Sequence, residues 1–148
     1  MARPIDLTIT FDAPPDRVWA ELADLGSHPE WMSDAATVQF ISEQRTGVGT
    51  RIVAATKVGP LKARDAMNVV EWVEGRTIAV EHVGSVKGSG RFEIRPISDG
   101  TEMTWHEVLR FPWWMGGPVA EWIAGPILRN LWTRSLERLK RRVELSGH

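Results

Sequence analysis

Six strand-like segments followed by one long helical segment constrain this chain more than any other feature of its sequence. Between Thr37 and Phe111, apolar and polar residues alternate, and turn residues interrupt the alternation. The segments span approximately residues 37–43, 49–58, 62–73, 76–83, 87–97 and 101–111. The turn signals between them are Gly47/Gly49, Gly59-Pro60, Glu74-Gly75, Gly84-Ser85 and Asp99-Gly100. We therefore expect a meander of antiparallel hairpins.

A first strand and a short helix are predicted before this meander. From Ile5 to Phe11, apolar residues alternate with polar ones at a period of two, which is typical of a strand with one buried face. Asp12 is placed to cap a short helix whose first turn tolerates the Pro-Pro pair that follows, and Gly26 is expected to end that helix.

The last segment has the pattern of a long amphipathic helix. It follows Gly116-Gly117-Pro118, and its apolar residues recur at helical spacing while basic residues mostly take the opposite side. We expect Pro126 to kink or divide it, because proline has no N–H for the carbonyl of Trp122. Together these elements predict an α+β fold in which a seven-stranded, curved antiparallel sheet wraps around the C-terminal helix.

Composition narrows the class of protein further. With 148 residues, the chain is long enough for one domain, residues 1–148, with its own core. A formal net charge of -1 argues against a nucleic-acid partner. The absence of Cys, with only four His, excludes thiol chemistry and disfavours a zinc site, so we assign no metal and no cofactor. No signal segment or apolar run of membrane-spanning length is present, so we expect a cytoplasmic protein without stable membrane insertion.

The Asp99-Gly100 pair predicts which side chains of the last hairpin share a face. A two-residue type I′ loop there places Ser98 opposite Thr101 and Phe92 opposite Glu107. The inward face would then carry Phe92, Ile94, Met103, Trp105, Glu107, Leu109 and Phe111.

Glu107 is the residue on that face that most needs an explanation, because a carboxylate among apolar side chains is costly to bury. Three interpretations remain open. The carboxylate is solvated near the sheet end or paired with Arg110 or Arg51, it is a polar anchor inside a ligand cavity, or it is a general acid or base.

His82 is also predicted to face inward, whereas His106 faces outward. In the register above, the rows of His82 and Glu107 lie four residues apart, roughly 13 Å along the strands, so we expect no direct hydrogen bond between them. His82 is then a core or rim histidine. Gly88 and Gly90 lie on the same face, where they either open space for a cavity or let the sheet bend.

Seven of the eight tryptophans fall into two groups, and the eighth, Trp105, lies on the inward face described above. Those in regular elements are expected in or beside the core: Trp19, Trp72, Trp122 and Trp132. Trp31 and the pair Trp113-Trp114 lie in predicted loops. The Trp113-Trp114 connector is interpreted as a gate, a dimer patch, a membrane-contacting tip or a cap on the core.

Several sequence stretches resemble the polyketide cyclase/dehydrase branch of the START-like (SRPBCC, birch-pollen-allergen-like) superfamily. They are the run from Ala13 to Trp19, His28-Pro29-Glu30-Trp31, Gly47-Val48-Gly49-Thr50-Arg51, Glu71-Trp72 and the helix from Gly125 to Lys140. The resemblance covers about residues 4–145. It implies a helix-grip fold with a hydrophobic cavity between the sheet and the long helix.

We therefore expect the chain to bind a hydrophobic, ring-bearing small molecule or lipid in that cavity. The predicted ligand-binding residues are Trp31, His82, Phe92, Trp105, Glu107, Leu109, Trp113 and Trp114. The alternative is a cyclase, aromatase or dehydratase in which Glu107 or His82 moves a proton, and a homodimer is a further possibility. The chain has no Tyr, which excludes any cyclase mechanism that uses a tyrosine phenol.

Overall fold

The computed structural model describes residues 4–58 and 61–145, and it contains seven strands and two α-helices within those ranges. The strands are β1 (Ile5–Phe11), β2 (Ala35–Phe40), β3 (Arg51–Val58), β4 (Leu61–Val73), β5 (Thr77–Val83), β6 (Lys87–Ile97) and β7 (Gly100–Arg110). The helices are α1 (Pro15–Ala23) and α2 (Gly117–Leu145), with short 3-10 helices at Leu25–Glu30 and Trp113–Met115. The turn predicted at Gly59-Pro60 lies outside the described residues.

All seven strands form one antiparallel sheet in the order β1-β7-β6-β5-β4-β3-β2. The first strand therefore pairs with the last. The chain is an α+β helix-grip fold with a curved seven-stranded sheet around α2, as predicted. The C-terminal half of α2 supplies Trp132, Leu136, Leu139 and Val143 to the core. These side chains pack with residues from β1, β6 and β7, so helix and sheet share one apolar core.

Both predicted ends of α1 are wrong. Pro14, not Asp12, occupies the N-cap position, and no side chain caps the helix because proline has no side-chain acceptor. The backbone N–H of Asp12 donates to Glu144 Oε2 at 2.8 Å. The helix ends at Ala23, and the chain continues as a 3-10 helix through Gly26. Backbone N–H groups at the start of a helix have no carbonyl partner within it. Because proline has no N–H group, the prolines at the start leave fewer donors that need a side-chain cap.

Of the two outcomes predicted at Pro126, a kink or a division of the helix, the division does not occur, because one helix runs from Gly117 to Leu145. Proline removes one hydrogen bond to the carbonyl of Trp122. Both Pro126 and Trp122 are exposed, so water can solvate that carbonyl and the helix continues.

The hairpin between β6 and β7 is shifted by two residues from the predicted register. Its loop residues are Ser98 and Asp99, and Ile97 pairs with Gly100. Neither loop residue has a positive φ, so the expected type I′ turn at Asp99-Gly100 does not form. Gly100 begins β7 with a φ of 151°, and a Cβ there would lie 2.0 Å from the carbonyl oxygen of Phe11.

A shift of two residues leaves every side chain on its predicted face but changes its cross-strand partner. Glu107 lies opposite Gly90, and Trp105 lies opposite Phe92. Gly88, and not Gly90, lies opposite Leu109. This change of partner determines how the buried polar residues meet.

Candidate functional site

Glu107 lies on the inner face of β7, between Ile5 of β1 and Gly90 of β6. Its side chain is buried, with 6% of the residue exposed. The interpretation of Glu107 as a solvated carboxylate, or as the partner of Arg110 or Arg51, is therefore wrong. Its partner is a histidine from β5.

His82 and Glu107 form the direct hydrogen bond that the sequence analysis did not expect. The distance from His82 Nε2 to Glu107 Oε1 is 3.1 Å, and only 4% of His82 is exposed. Across the sheet, Glu107 is level with Gly90 and Val80. His82 is two residues from Val80 along β5, whereas the predicted register separated His82 and Glu107 by four residues. The corrected hairpin register therefore halves the predicted separation along the strands, to roughly 7 Å, and the two long side chains span it diagonally.

One glycine of β6, Gly90, makes this contact possible, because β6 lies between the strands that carry His82 and Glu107. A Cβ on Gly90 would lie 2.0 Å from Glu107 Oε2. Gly88 has a φ of 137°, and a Cβ there would lie 1.8 Å from the carbonyl oxygen of Val108. Gly90 therefore leaves room above β6 that the Glu107 carboxyl group occupies, whereas Gly88 permits a close approach of the β6 and β7 backbones.

Asp65 completes the array and was missed by the sequence analysis. Nδ1 of His82 lies 3.0 Å from each carboxylate oxygen of Asp65, on β4. The two-residue period of β4 could have indicated it, because Asp65 lies on the same face of the strand as Met67, the cross-strand partner of His82. Asp65, His82 and Glu107 thus form a continuous chain of hydrogen bonds, and we call them the buried triad.

The buried triad holds a charged imidazole. Burial alone would lower the pKa of His82, but hydrogen bonds to Asp65 and Glu107, together with their charges, raise it to about 10. Both ring N–H groups then donate, one to each carboxylate. Burial raises the pKa of Glu107 above its ordinary value, although the hydrogen bond and charge of His82 oppose that shift.

Asp34 adds a fourth ionisable group near the triad. Trp132 Nε1 donates a hydrogen bond of 3.1 Å to its Oδ2, and burial raises the pKa of Asp34 above its ordinary value. The charge of Asp34 also acts on Glu107, and that of Asp65 acts on Asp34. The interior therefore contains one imidazolium and three carboxyl groups, so a further negative charge there would be electrostatically repelled.

Two buried side-chain polar atoms have no hydrogen-bond partner among the described residues, namely Glu107 Oε2 and Trp31 Nε1. Buried polar atoms are nearly always paired, and an unpaired one is expensive to keep. Glu107 therefore uses one oxygen for its partner His82, and its second oxygen lies above Gly90 without a partner among the described residues.

Aromatic rings lie on the same side of the sheet. Phe92 contacts Trp105 at 5.0 Å between ring centroids, and Trp105 stacks on Trp132 at 4.8 Å. Trp31 is fully buried and lies 6.3 Å from Phe92. The predicted residues Trp31, Phe92 and Trp105 are thus brought together as a wall of the core.

A cleft of about 560 Å³ lies between the sheet edge and the N-terminal half of α2. Its apolar lining includes Ile5, Leu109, Phe111, Trp122, Ile123 and Leu128. Ile5 is the cross-strand partner of Glu107, and Leu109 is the next residue of β7 on the same face. The cleft therefore adjoins the row of Glu107.

Three tryptophans lie on the surface. Trp122 was predicted in or beside the core, but it is 65% exposed and lines the cleft. Trp113 and Trp114 are 87% and 61% exposed, so their interpretation as a cap on the core is wrong. Trp19 and Trp132 are buried as predicted, and Trp72 packs against the core.

The buried triad is not arranged as a metal centre. Within the described ranges, no group of three His, Asp or Glu side chains could hold a metal ion. Both ring nitrogens of His82 are hydrogen-bonded to carboxylates, so neither has a lone pair free to ligate a metal ion.

We expect Gly90→Ala to destabilise the fold by about 1–3 kcal/mol, because its methyl group would displace the Glu107 carboxyl group from the space above β6. Urea unfolding measures the change. Gly125→Ala is the matched control, since a Cβ there meets no atom within 4 Å. That control should leave stability unchanged or raise it by up to about 1 kcal/mol. Equal effects of the two substitutions would show that Gly90 does not hold space for Glu107.

Residues 4–144 match the protein family described as "Polyketide cyclase / dehydrase and lipid transport". No curated protein sequence matches the chain significantly.

Solved structures with the same fold include the di-domain ARO/CYC StfQ from the steffimycin biosynthetic pathway. It is 13% identical with a TM-score of 0.80, and the match covers 99% of this chain and 52% of StfQ. A START superfamily protein from Mycobacterium smegmatis is 16% identical with a TM-score of 0.74, covering 97% of this chain and 99% of that protein. A protein from Thermus thermophilus is 17% identical with a TM-score of 0.78, covering 99% of this chain and all of that one (100%). At these identities the likeness concerns the fold.

Proposed function

Because this chain belongs to the polyketide cyclase/dehydrase and lipid transport family, we propose that it binds a hydrophobic, ring-bearing small molecule or lipid between the sheet and α2. Glu107 is the polar group that orients this ligand. The observation that carries the proposal is the buried Oε2 of Glu107, which has no hydrogen-bond partner in the described part of the chain. Ile5, the cross-strand neighbour of Glu107, lines the apolar cleft.

The cleft suits a ligand of this kind in size and lining. Its volume of about 560 Å³ falls within the roughly 300–1,000 Å³ of small-molecule sites. Apolar side chains from β1, β7 and α2 supply most of the lining, and Glu121 and Arg129 also contribute to it. An apolar ring system would bury its surface there, and one polar substituent would reach toward Glu107.

The charges of the interior restrict that polar substituent. His82 carries one positive charge, and Asp65, Glu107 and Asp34 are acidic groups around it. A ligand carboxylate would be repelled, whereas a hydroxyl group can donate to Glu107 Oε2. The proposed ligand is therefore uncharged at its inner end and bears a hydrogen-bond donor.

An enzymatic function of the cyclase type is the second candidate, and the His82–Glu107 hydrogen bond favours it. Glu107 as a carboxylate would take a proton from the carbon between two carbonyl groups of a poly-β-keto chain. The resulting enolate would attack a second carbonyl to form the new carbon–carbon bond, and protonated Glu107 would return its proton to the alkoxide. His82 would act as a positioning residue that stabilises the carboxylate before the transfer.

A cleft-filling variant tests binding. Leu109→Trp should raise the dissociation constant of the neutral fluorescent probe Nile red at least about tenfold, because the larger side chain occupies the cleft. Val70→Trp is the matched control, since Val70 is exposed on β4 and outside the cleft. Fluorescence titration measures both variants. Unchanged affinity in a folded Leu109→Trp protein would contradict binding in the cleft.

A further inference from the structure

The connector after β7 and the first half of α2 expose a continuous series of large apolar side chains. We call this surface the tryptophan ridge, and its members are Trp113, Trp114, Val119, Trp122, Ile123 and Ile127. Soluble monomers seldom expose apolar patches of this kind without a binding partner. We propose that the tryptophan ridge is a docking surface for an anionic lipid bilayer.

The charge distribution along the chain fits an anionic bilayer. Between Arg110 and Arg129, the 18 residues 111–128 include a single charged side chain, Glu121. Glu121 is half-buried, and its Oε2 accepts a hydrogen bond of 3.0 Å from the backbone N–H of Phe111. The segment is therefore apolar along its length and is flanked in sequence by two exposed arginines, of which Arg129 also donates a hydrogen bond of 2.9 Å to the carbonyl of Asp6. This pattern matches an apolar membrane interior bordered by anionic headgroups.

The shape of the ridge favours a bilayer over a second copy of the chain. Trp113 and Trp114 lie on a three-residue 3-10 helix that ends at Gly116 and Gly117, both with positive φ. At 87% exposure, the indole of Trp113 projects from the surface. A projecting indole can insert among headgroups, where tryptophan is enriched in membrane proteins, whereas a dimer interface needs two surfaces that fit each other.

The ridge is also continuous with the cleft. Trp122 and Ile123 belong to the ridge and line the cleft. A chain docked through the ridge would therefore bring the edge of its cleft to the membrane interior, where apolar molecules concentrate. No described helix is long and apolar enough to span a bilayer, so the contact proposed is peripheral.

Flotation with lipid vesicles tests the docking surface without reference to any ligand. Wild-type protein should float with vesicles of phosphatidylcholine and phosphatidylglycerol, and less with phosphatidylcholine alone. The double variant Trp113→Gln/Trp114→Gln should reduce the partition coefficient between vesicles and water by about tenfold or more, since each substitution removes a large apolar contact with lipid. Arg110→Gln should reduce binding to the anionic vesicles only.

The matched control removes exposed apolar surface from elsewhere on the molecule. Ile41 and Val48 are exposed beside β2 and β3, at the opposite edge of the sheet from β1. Ile41→Gln/Val48→Gln should bind vesicles like the wild type. Equal losses in both double variants would overturn the proposal, as would a wild-type protein that fails to float. A concentration-dependent dimer that the Trp113/Trp114 variant abolishes, without vesicle binding, would assign the ridge to a second copy.

Discussion

Replacing His82 with glutamine is expected to lower the free energy of unfolding by about 3–5 kcal/mol. The substitution removes the cation between Asp65 and Glu107 and leaves the buried Glu107 and the partly buried Asp65 without a charge partner. Urea unfolding at neutral pH measures this loss.

His106→Gln is the control for this substitution. His106 is exposed and pairs with Asp6 on the outer face of the sheet, where an ion pair contributes about 1 kcal/mol or less. If the two substitutions have similarly small effects, His82 does not carry the charge that the geometry assigns to it.

The stability of the protein is expected to fall steadily as the pH rises from 6.5 to about 10. His82 has a pKa of about 10 in the folded state and an ordinary value of 6.5, so the folded state binds its proton more tightly. Its contribution is therefore fully present below pH 6.5 and is lost as the pH passes through 10. The total loss is on the order of 5 kcal/mol.

The opposite trend is expected in acid because of His28. Burial lowers the pKa of His28 to about 4, so the unfolded state binds this proton more tightly and stability falls from pH 6.5 toward pH 4. Unfolding free energies measured across this range should thus show a maximum near pH 6.5. In His82→Gln the part of the decline that extends to about pH 10 should be absent, and an unaltered decline would exclude His82 as its source.

The fold could be predicted because it depends on local periodicity. The alternation in β1 and β7 and the helical spacing in α2 identify their buried faces before any partner is known. The hairpin register could not be derived in the same way. A shift of two residues preserves every buried face, so the hydrophobic pattern does not distinguish the two registers.

The candidate site was predicted only in part, for the same reason. The inward orientation of Glu107 and His82 followed from the strand period, but their contact depended on the register of Gly90. Asp65 lies on a different hairpin, and its distance from His82 depends on how β4 pairs with β5, including the irregularity at Val69. Sequence periodicity contains no information on that pairing.

The burial of the tryptophans could not be predicted from residue type and secondary structure alone. A large apolar side chain in a regular element usually packs inside, which is why Trp122 was assigned to the core. The first half of α2 instead extends along the edge of the sheet, and its apolar residues remain exposed. The amphipathic pattern belongs to the second half of α2, where Trp132 and Leu139 are buried.

A comparison of two related ligands shows whether Glu107 orients an uncharged ligand in the cleft. Isothermal titration calorimetry at neutral pH would measure the affinities of naphthol and of naphthoate, which share a ring system and differ in the charge of the polar group. Wild-type protein should bind naphthol at least about tenfold more tightly, and Glu107→Gln should reduce that preference by an amount on the order of the ~1–3 kcal/mol of a buried polar contact. Equal affinities for naphthol and naphthoate in the wild type, unaltered in Glu107→Gln, would contradict the account.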